Sequence, residues 1–177
     1  MISEILLQRT KANQVKPVYL ELIKTYPNIK TISKANINKI ENIIKPLGLI
    51  KRAKYILEIA QTITKKYNEQ IPKNKKKLTQ IKGIGEYTAN SLLVFGFDEN
   101  LSIIDSNVIR ILNRVYNLNY TNRKPNETIK NLANNLLPNE KVKSYNYGLL
   151  DLGSEICKPK KDPECNKCPL NKICLYI

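Results

Sequence analysis

Apolar residues recur mostly at intervals of three and four positions, for example at Leu6, Val15, Val18 and Leu22. Such spacing places apolar side chains on one face of an α-helix, whereas the alternation typical of a half-buried strand is scarce. Proline, glycine and asparagine residues divide the pattern into segments with short connections. The pattern predicts an all-α fold, with helices over about 3–12, 14–26, 36–45, 49–67, 86–97, 105–117, 125–136 and 142–155.

An asparagine-rich stretch at 116–126 interrupts the helical pattern and reads as a turn. A chain of 177 residues can bury a real core, either as one domain or as two small lobes packed against each other. The residues alone leave both arrangements open, and in the second the asparagine-rich stretch would be the turn between the lobes.

Charge points to a polyanionic partner. Thirty Lys and Arg residues against fifteen Asp and Glu give a net charge of +15, which makes nucleic acid the first partner to consider. The competing explanation is compositional, because lysine, isoleucine and asparagine are all abundant. No apolar run is long enough to cross a bilayer, and the amino terminus does not resemble a signal peptide, so we expect a cytoplasmic protein that does not bind membranes.

All four cysteines fall in "CKPKKDPECNKCPLNKIC", and the chain has no histidine. A reducing compartment disfavours disulfides. Zinc accepts four thiolates, although its ribbons generally use two CX2C pairs, whereas a [4Fe-4S] cluster takes four thiolates from one compact loop and tolerates uneven spacing. The spacing favours the cluster and leaves zinc open. The candidate ligands are Cys157, Cys165, Cys168 and Cys174.

Lysines accompany these cysteines, among them Lys158, Lys160 and Lys161. A metal centre that fixes the loop would hold these cations against a phosphate backbone. The alternatives are a solvated lysine-rich loop and a redox role for the cluster.

A second motif, "LTQIKGIGEYTANSLL", places Gly83 and Gly85 between a short apolar helix and a longer helix that begins near Glu86. Two glycines allow a sharp turn and close approach to a ligand, and the helix that follows offers unpaired amides to a phosphate. No strand precedes the glycines, which argues against a dinucleotide-binding loop. An ordinary helix cap would explain the glycines equally well.

In "LSIIDSNVIRILNRVY", Asp105 precedes an amphipathic helix. Aspartate is a preferred helix N-cap, so this position alone does not indicate catalysis.

Taken in order, "IKGIGEYTA", "IIDSNVIRIL" and the cysteine loop resemble the iron-sulfur branch of the helix-hairpin-helix DNA glycosylases, the endonuclease III superfamily. The resemblance implies a two-lobed fold: a helical barrel over 1–115 containing the hairpin at about 76–97, and a cluster lobe over 116–177. It implies a monomer that flips a mismatched or damaged nucleotide out of double-stranded DNA and cuts its glycosidic bond, associated with the nucleoid in a prokaryote.

The resemblance also assigns roles. Asp105 matches the essential aspartate that stabilises the cationic sugar, and Asn107 matches a polar helper. Glu4 in "ISEILLQRT" matches a base-pocket glutamate that hydrogen-bonds or protonates the leaving base. Gln8 and Arg9 match residues that enter the duplex, and Lys82 with the two hairpin glycines would contact the DNA backbone.

The residue after "GIGE" separates the branches of this family. Enzymes that also cleave the backbone carry a lysine there, whose amine forms a Schiff base, whereas this chain has Tyr87. We therefore expect a monofunctional glycosylase. Tyrosine at this position resembles the archaeal thymine-DNA mismatch glycosylases, whereas adenine glycosylases usually carry serine, so the resemblance implies T or U opposite G as the substrate. The alternatives are an adenine DNA glycosylase, a glycosylase/lyase, and a DNA-binding protein without catalysis.

Two departures from the family pattern stand out. Seven residues separate the first two cysteines where the family usually has six. Relatives also begin several tens of residues earlier, so the sequence is expected to lack their usual N-terminal helix.

Overall fold

The computed structural model describes residues 1–8, 10–48, 50–159 and 163–176. Every regular element in these ranges is helical, as the apolar spacing predicted. None of the helices within these ranges is both long and apolar enough to cross a membrane. The α-helices are α1 (Ile2–Leu7), α2 (Ala12–Thr25), α3 (Ile29–Ser33), α4 (Ile37–Ile44), α5 (Arg52–Tyr67), α6 (Lys75–Thr79), α7 (Glu86–Phe97), α8 (Ser106–Tyr116), α9 (Glu127–Asn135) and α10 (Val142–Asp151).

The chain forms two compact units, Met1–Leu92 and Leu93–Ile177. In the first unit, α5 packs against α1, α3 and α4. Its core is aliphatic and includes the completely buried Leu6, Leu22 and Ile56. The division into lobes 1–115 and 116–177 stays a prediction about how the fold is organised.

In the second unit, α8 is buried on two sides. Val108 and Leu112 pack on Ile129 of α9, while Ile111 and Val115 pack on Leu152 beyond α10. Three of the four cysteines lie against this second cluster. Helix α8, which Asp105 caps, therefore packs against the cysteine loop along one of its faces.

The observed helices differ from the predicted ones most clearly in three places. The predicted helix 3–12 ends at Leu7, and the next helix, α2, begins at Ala12. The short helix α3 was not predicted, and it begins with a reciprocal capping box between Asn28 and Thr31. Helix α10 ends at Asp151. One π-helical turn, Leu152–Ile156, follows it and leads directly to the first cysteine.

Candidate active site and cysteine loop

The two glycines of the hairpin have different reasons to be glycine. Gly83 has a φ of 97°, and a Cβ there would lie 3.2 Å from Tyr55 Cδ1 and 3.3 Å from Ile59 Cδ1 on α5. Gly85 has an ordinary φ and open space where a Cβ would stand. The fold of this unit therefore requires the first glycine, whereas nothing within the described chain explains the second.

Carboxylates accompany the cations of the hairpin. Lys82 is exposed, and its Nζ lies 3.6 Å from Glu58 Oε2 on α5. Lys75 Nζ lies 2.8 Å from Glu86 Oε1 at the start of α7. The Lys75–Glu86 pair is exposed on both sides and contributes little to stability, whereas Lys82 is the exposed partner of a buried carboxylate oxygen.

Glu4 lies on α1 in a largely buried environment. Burial raises the pKa of its carboxyl, and this effect is opposed by the charge of the amino terminus and by the Ser91 hydroxyl of α7. Ser91 is 1% exposed, and its Oγ makes no hydrogen bond of good geometry with any described residue. A buried acid beside a buried hydroxyl can hold or release a proton, since the hydroxyl both donates and accepts.

Two other predicted site residues belong to the same unit. Tyr87 is half-buried in the first turn of α7, and Gln8 is exposed at the end of α1. Arg9 lies outside the described residues.

Asp105 is the N-cap of α8, as its position in the sequence allowed. Its Oδ1 accepts hydrogen bonds from the backbone amides of Asn107, at 2.8 Å, and Val108, at 2.9 Å. Its Oδ2 accepts a third from Asn107 Nδ2, at 2.9 Å. The helix cap uses only Oδ1. The Asn107 side chain holds Oδ2, so both oxygens of the carboxylate are fixed.

Arg110 continues this network, and the sequence analysis did not single it out. Its Nη2 donates to Asn107 Oδ1, at 2.8 Å, and to the Gly153 carbonyl, at 2.7 Å. Its Nε donates to the Cys157 carbonyl, at 2.8 Å. Hydrogen bonds therefore run without a gap from the Asp105 carboxylate to the backbone of the first cysteine. Helical spacing could have indicated Arg110, because a residue three positions after Asn107 lies on the same helix face.

The four cysteines line one cavity, together with Arg114, Ile156 and Tyr176 among others. Arg114 Nη1 donates to the Cys157 sulfur, at 3.2 Å, and to the Lys158 carbonyl, at 2.9 Å, while its guanidinium lies over the Tyr176 ring. No three His, Cys, Asp or Glu side chains in the described ranges converge closely enough to hold a single metal ion. Four thiols around one cavity are a donor set that either an iron-sulfur cluster or zinc can use.

Glu164 organises part of the lysine-rich loop. Its two oxygens lie 2.6 Å from Lys158 Nζ and 2.7 Å from Lys167 Nζ. These hydrogen bonds lower the pKa of Glu164 to about 2. Lys160 and Lys161 lie outside the described residues.

The sequence model for "HhH-GPD superfamily base excision DNA repair protein" matches residues 2–138 of the chain. The chain belongs to this superfamily. The matched range includes the hairpin and Asp105, and it stops before the cysteine loop.

Similar proteins extend the comparison through the loop. The HhH-GPD chain is 36% identical to a thymine-DNA glycosylase from Aeropyrum pernix, over 99% of its own length and 81% of that protein. It is 35% identical to an adenine DNA glycosylase from Buchnera aphidicola subsp. Baizongia pistaciae, over 98% of its length but only 49% of that protein. The structure of a thermostable thymine-DNA glycosylase superposes with a TM-score of 0.92 at 33% identity, covering 99% of this chain and 81% of the other.

Proposed function

We propose that this HhH-GPD protein is a monofunctional DNA glycosylase that removes a mismatched thymine or uracil opposite guanine from double-stranded DNA. The observation that carries the proposal is Tyr87, half-buried in the first turn of α7 in a chain 36% identical to a thymine-DNA glycosylase. A phenol cannot form an imine with the sugar, so water must complete the reaction.

Asp105 would act electrostatically. As the bond between C1′ and the base nitrogen breaks, the electron pair leaves with the base and positive charge develops on the sugar. A carboxylate held by three hydrogen bonds presents negative charge to that cation without reorganising. Asn107 would serve as the residue that orients the carboxylate.

Glu4 would act on the leaving base. Burial raises its pKa, so a larger fraction of Glu4 is protonated near neutral pH than for an exposed glutamate. The protonated carboxyl would donate its proton to the departing base, while water supplies the hydroxyl at C1′.

The cysteine cavity fits a [4Fe-4S] cluster held by Cys157, Cys165, Cys168 and Cys174, because all four thiols line it and Arg114 reaches one sulfur. When bound, such a cluster would crosslink the loop. The chain's own contribution is to hold α8 and the loop together through Arg110 and Arg114.

DNA contacts would come from both units. We assign Gln8, Lys82, Gly83 and Gly85 in the first unit, Lys158 in the second, and Arg9, Lys160 and Lys161 from the sequence alone. The open face of Gly85 supports this role, since a phosphate can approach the backbone there. Lys82 and Lys158 would exchange their carboxylate partners for phosphates. We expect a monomer acting in the cytoplasm, at the nucleoid of a prokaryote.

Incubation with labelled duplexes containing G:T, G:U, A:G or A:8-oxoguanine, followed by alkali, tests the proposal. Strand breakage at T or U, abolished by Asp105→Asn, is the expected result. The absence of breakage on every duplex, together with salt-sensitive binding, would instead indicate a DNA-binding protein without catalysis.

An adenine glycosylase is the second candidate, and the 35% identity to such an enzyme favours it. Breakage confined to the A:G and A:8-oxoguanine duplexes would replace the first proposal with this one.

A further inference from the structure

Arg52, the first residue of α5, is only 5% exposed. Its Nη1 donates to the Leu6 carbonyl, at 2.6 Å. Its Nη2 donates to the Gln8 carbonyl and to Thr10 Oγ1, the latter at 2.9 Å. No carboxylate among the described residues pairs with this guanidinium. Its hydrogen-bond partners lie at the end of α1 and just after it.

These contacts end α1 in an uncommon way. A helix frequently ends with a glycine in the left-handed conformation, whose amide satisfies a carbonyl of the last turn. Here Gln8 has φ −56° and ψ 113°, so the chain leaves the helix in an extended direction. The Arg52 fork takes the place of a glycine cap, and its positive charge lies at the negative end of the helix.

Burying an arginine carries a desolvation penalty, so stability alone does not explain Arg52. Burial lowers the pKa of Arg52, which reflects the loss of solvation of its charge. Apolar residues of similar volume usually serve a core equally well or better. The arginine provides geometry instead, because its planar fork can hold two carbonyls and a hydroxyl at fixed positions.

We propose that Arg52 is a positioning residue that fixes the backbone at the end of α1, so that the exposed side chain of Gln8 is presented to the duplex in one orientation. The inference rests on the proposed glycosylase function and extends it to a residue outside the expected DNA contacts. The Gln8 amide can both donate and accept hydrogen bonds, which suits it to the edge of a base that has lost its partner. Holding the Gln8 backbone still would reduce the entropy lost when this contact forms.

The test compares Arg52→Lys with Ile63→Val, a change of one methyl group at a completely buried core position eleven residues further along the same helix. Both are made in the Asp105→Asn background, and affinity is measured for the duplex that the wild type excises and for a fully matched duplex. Lysine keeps the charge but loses the fork. We expect Arg52→Lys to lower the ratio of the two affinities by about tenfold, with matched-duplex affinity nearly unchanged.

Gln8→Ala provides a second readout. If Arg52 acts through Gln8, the double variant should lose no more discrimination than Gln8→Ala alone. Arg52→Lys behaving like Ile63→Val, or losses that add in the double variant, would overturn the inference while leaving the glycosylase proposal intact. If the wild type excises no base from any duplex, both proposals fall together.

Thr10→Val decides the question if Arg52→Lys does not fold. It removes one acceptor of the fork, together with the 3.3 Å hydrogen bond that Thr10 Oγ1 donates to the Gln8 carbonyl, and it keeps the side-chain shape. A smaller loss of the same affinity ratio is expected, and an unchanged ratio would overturn the inference.

Discussion

Gly153 lies directly against Asn107: a Cβ at Gly153 would stand 2.5 Å from the Asn107 Cβ. The π-helical turn that follows α10 brings the two residues together, and the Gly153 carbonyl accepts a hydrogen bond from Arg110. A methyl group at this position requires Asn107 or the π-helical turn to shift, and either shift disturbs the hydrogen bonds that Asn107 and Arg110 make beside the Asp105 carboxylate.

The first prediction is that Gly153→Ala slows base excision by more than about tenfold, while affinity for the DNA changes little. Gly148→Ala on α10 is the matched control, because nothing lies within 4 Å of a Cβ there. Single-turnover rates and affinities of the two variants provide the measurement. Equal rates for both would show that the position of Asn107 does not matter for excision.

Substitutions of the two hairpin glycines should affect different properties, unfolding free energy for Gly83 and DNA affinity for Gly85. Gly83→Ala places a side chain at a positive φ against Tyr55 and Ile59, and should cost about 1–3 kcal/mol of unfolding free energy. Gly85→Ala should change stability by less than about 0.5 kcal/mol.

We expect Gly85→Ala to weaken duplex affinity, since its methyl group would stand where a phosphate approaches the backbone. Urea unfolding and titration with duplex measure the two effects. Unchanged duplex affinity in Gly85→Ala would remove the hairpin from the DNA interface.

Replacing Glu4 should raise the stability of the protein at higher pH and lower its excision activity. Its raised folded pKa means that the protonated form contributes stability that is fully present below the usual value of 4.5 and is lost as pH rises through the folded pKa. Glu4→Gln should therefore gain melting temperature relative to wild type as pH rises, while losing excision activity. A melting-temperature difference that does not vary with pH would argue against burial of the charge.

Ser91→Ala tests the partner of Glu4. The Ser91 hydroxyl lowers the pKa of Glu4, so its removal should raise that pKa further. If protonated Glu4 serves the leaving base, the alkaline fall in single-turnover rate should move to higher pH in Ser91→Ala. A shift to lower pH, or an unmoved profile, would contradict this assignment.

Borohydride trapping should give no covalent DNA adduct with the wild-type protein, because Tyr87 offers no amine to the sugar. A trapped adduct that disappears in Lys82→Gln would identify Lys82 as the nucleophile and overturn the monofunctional assignment.

The cysteine cavity makes a spectroscopic prediction. Protein purified without chelators should be brown with a broad visible band, and Cys168→Ser should lose the colour and melt at a lower temperature, because Cys168 packs on the Ile111 cluster. A colourless wild-type protein that contains zinc would favour the mononuclear alternative.

The sequence by itself determined the helical class, the hairpin, the cap at Asp105 and the set of four cysteines. These features depend on local rules: apolar spacing, glycine freedom, capping chemistry and short ligand spacing. The resemblance carried by the three ordered motifs pointed to the superfamily that the comparisons show.

Only the tertiary structure decided which residues support those features. Arg52 reaches across more than forty positions to end α1, and Arg110 reaches a similar distance to join Asp105 with Cys157. Read in sequence, both are ordinary arginines on amphipathic helices. Their roles depend on which carbonyls the folded chain brings within hydrogen-bond distance, and that depends on the packing of helices far apart in the sequence rather than on neighbouring residues.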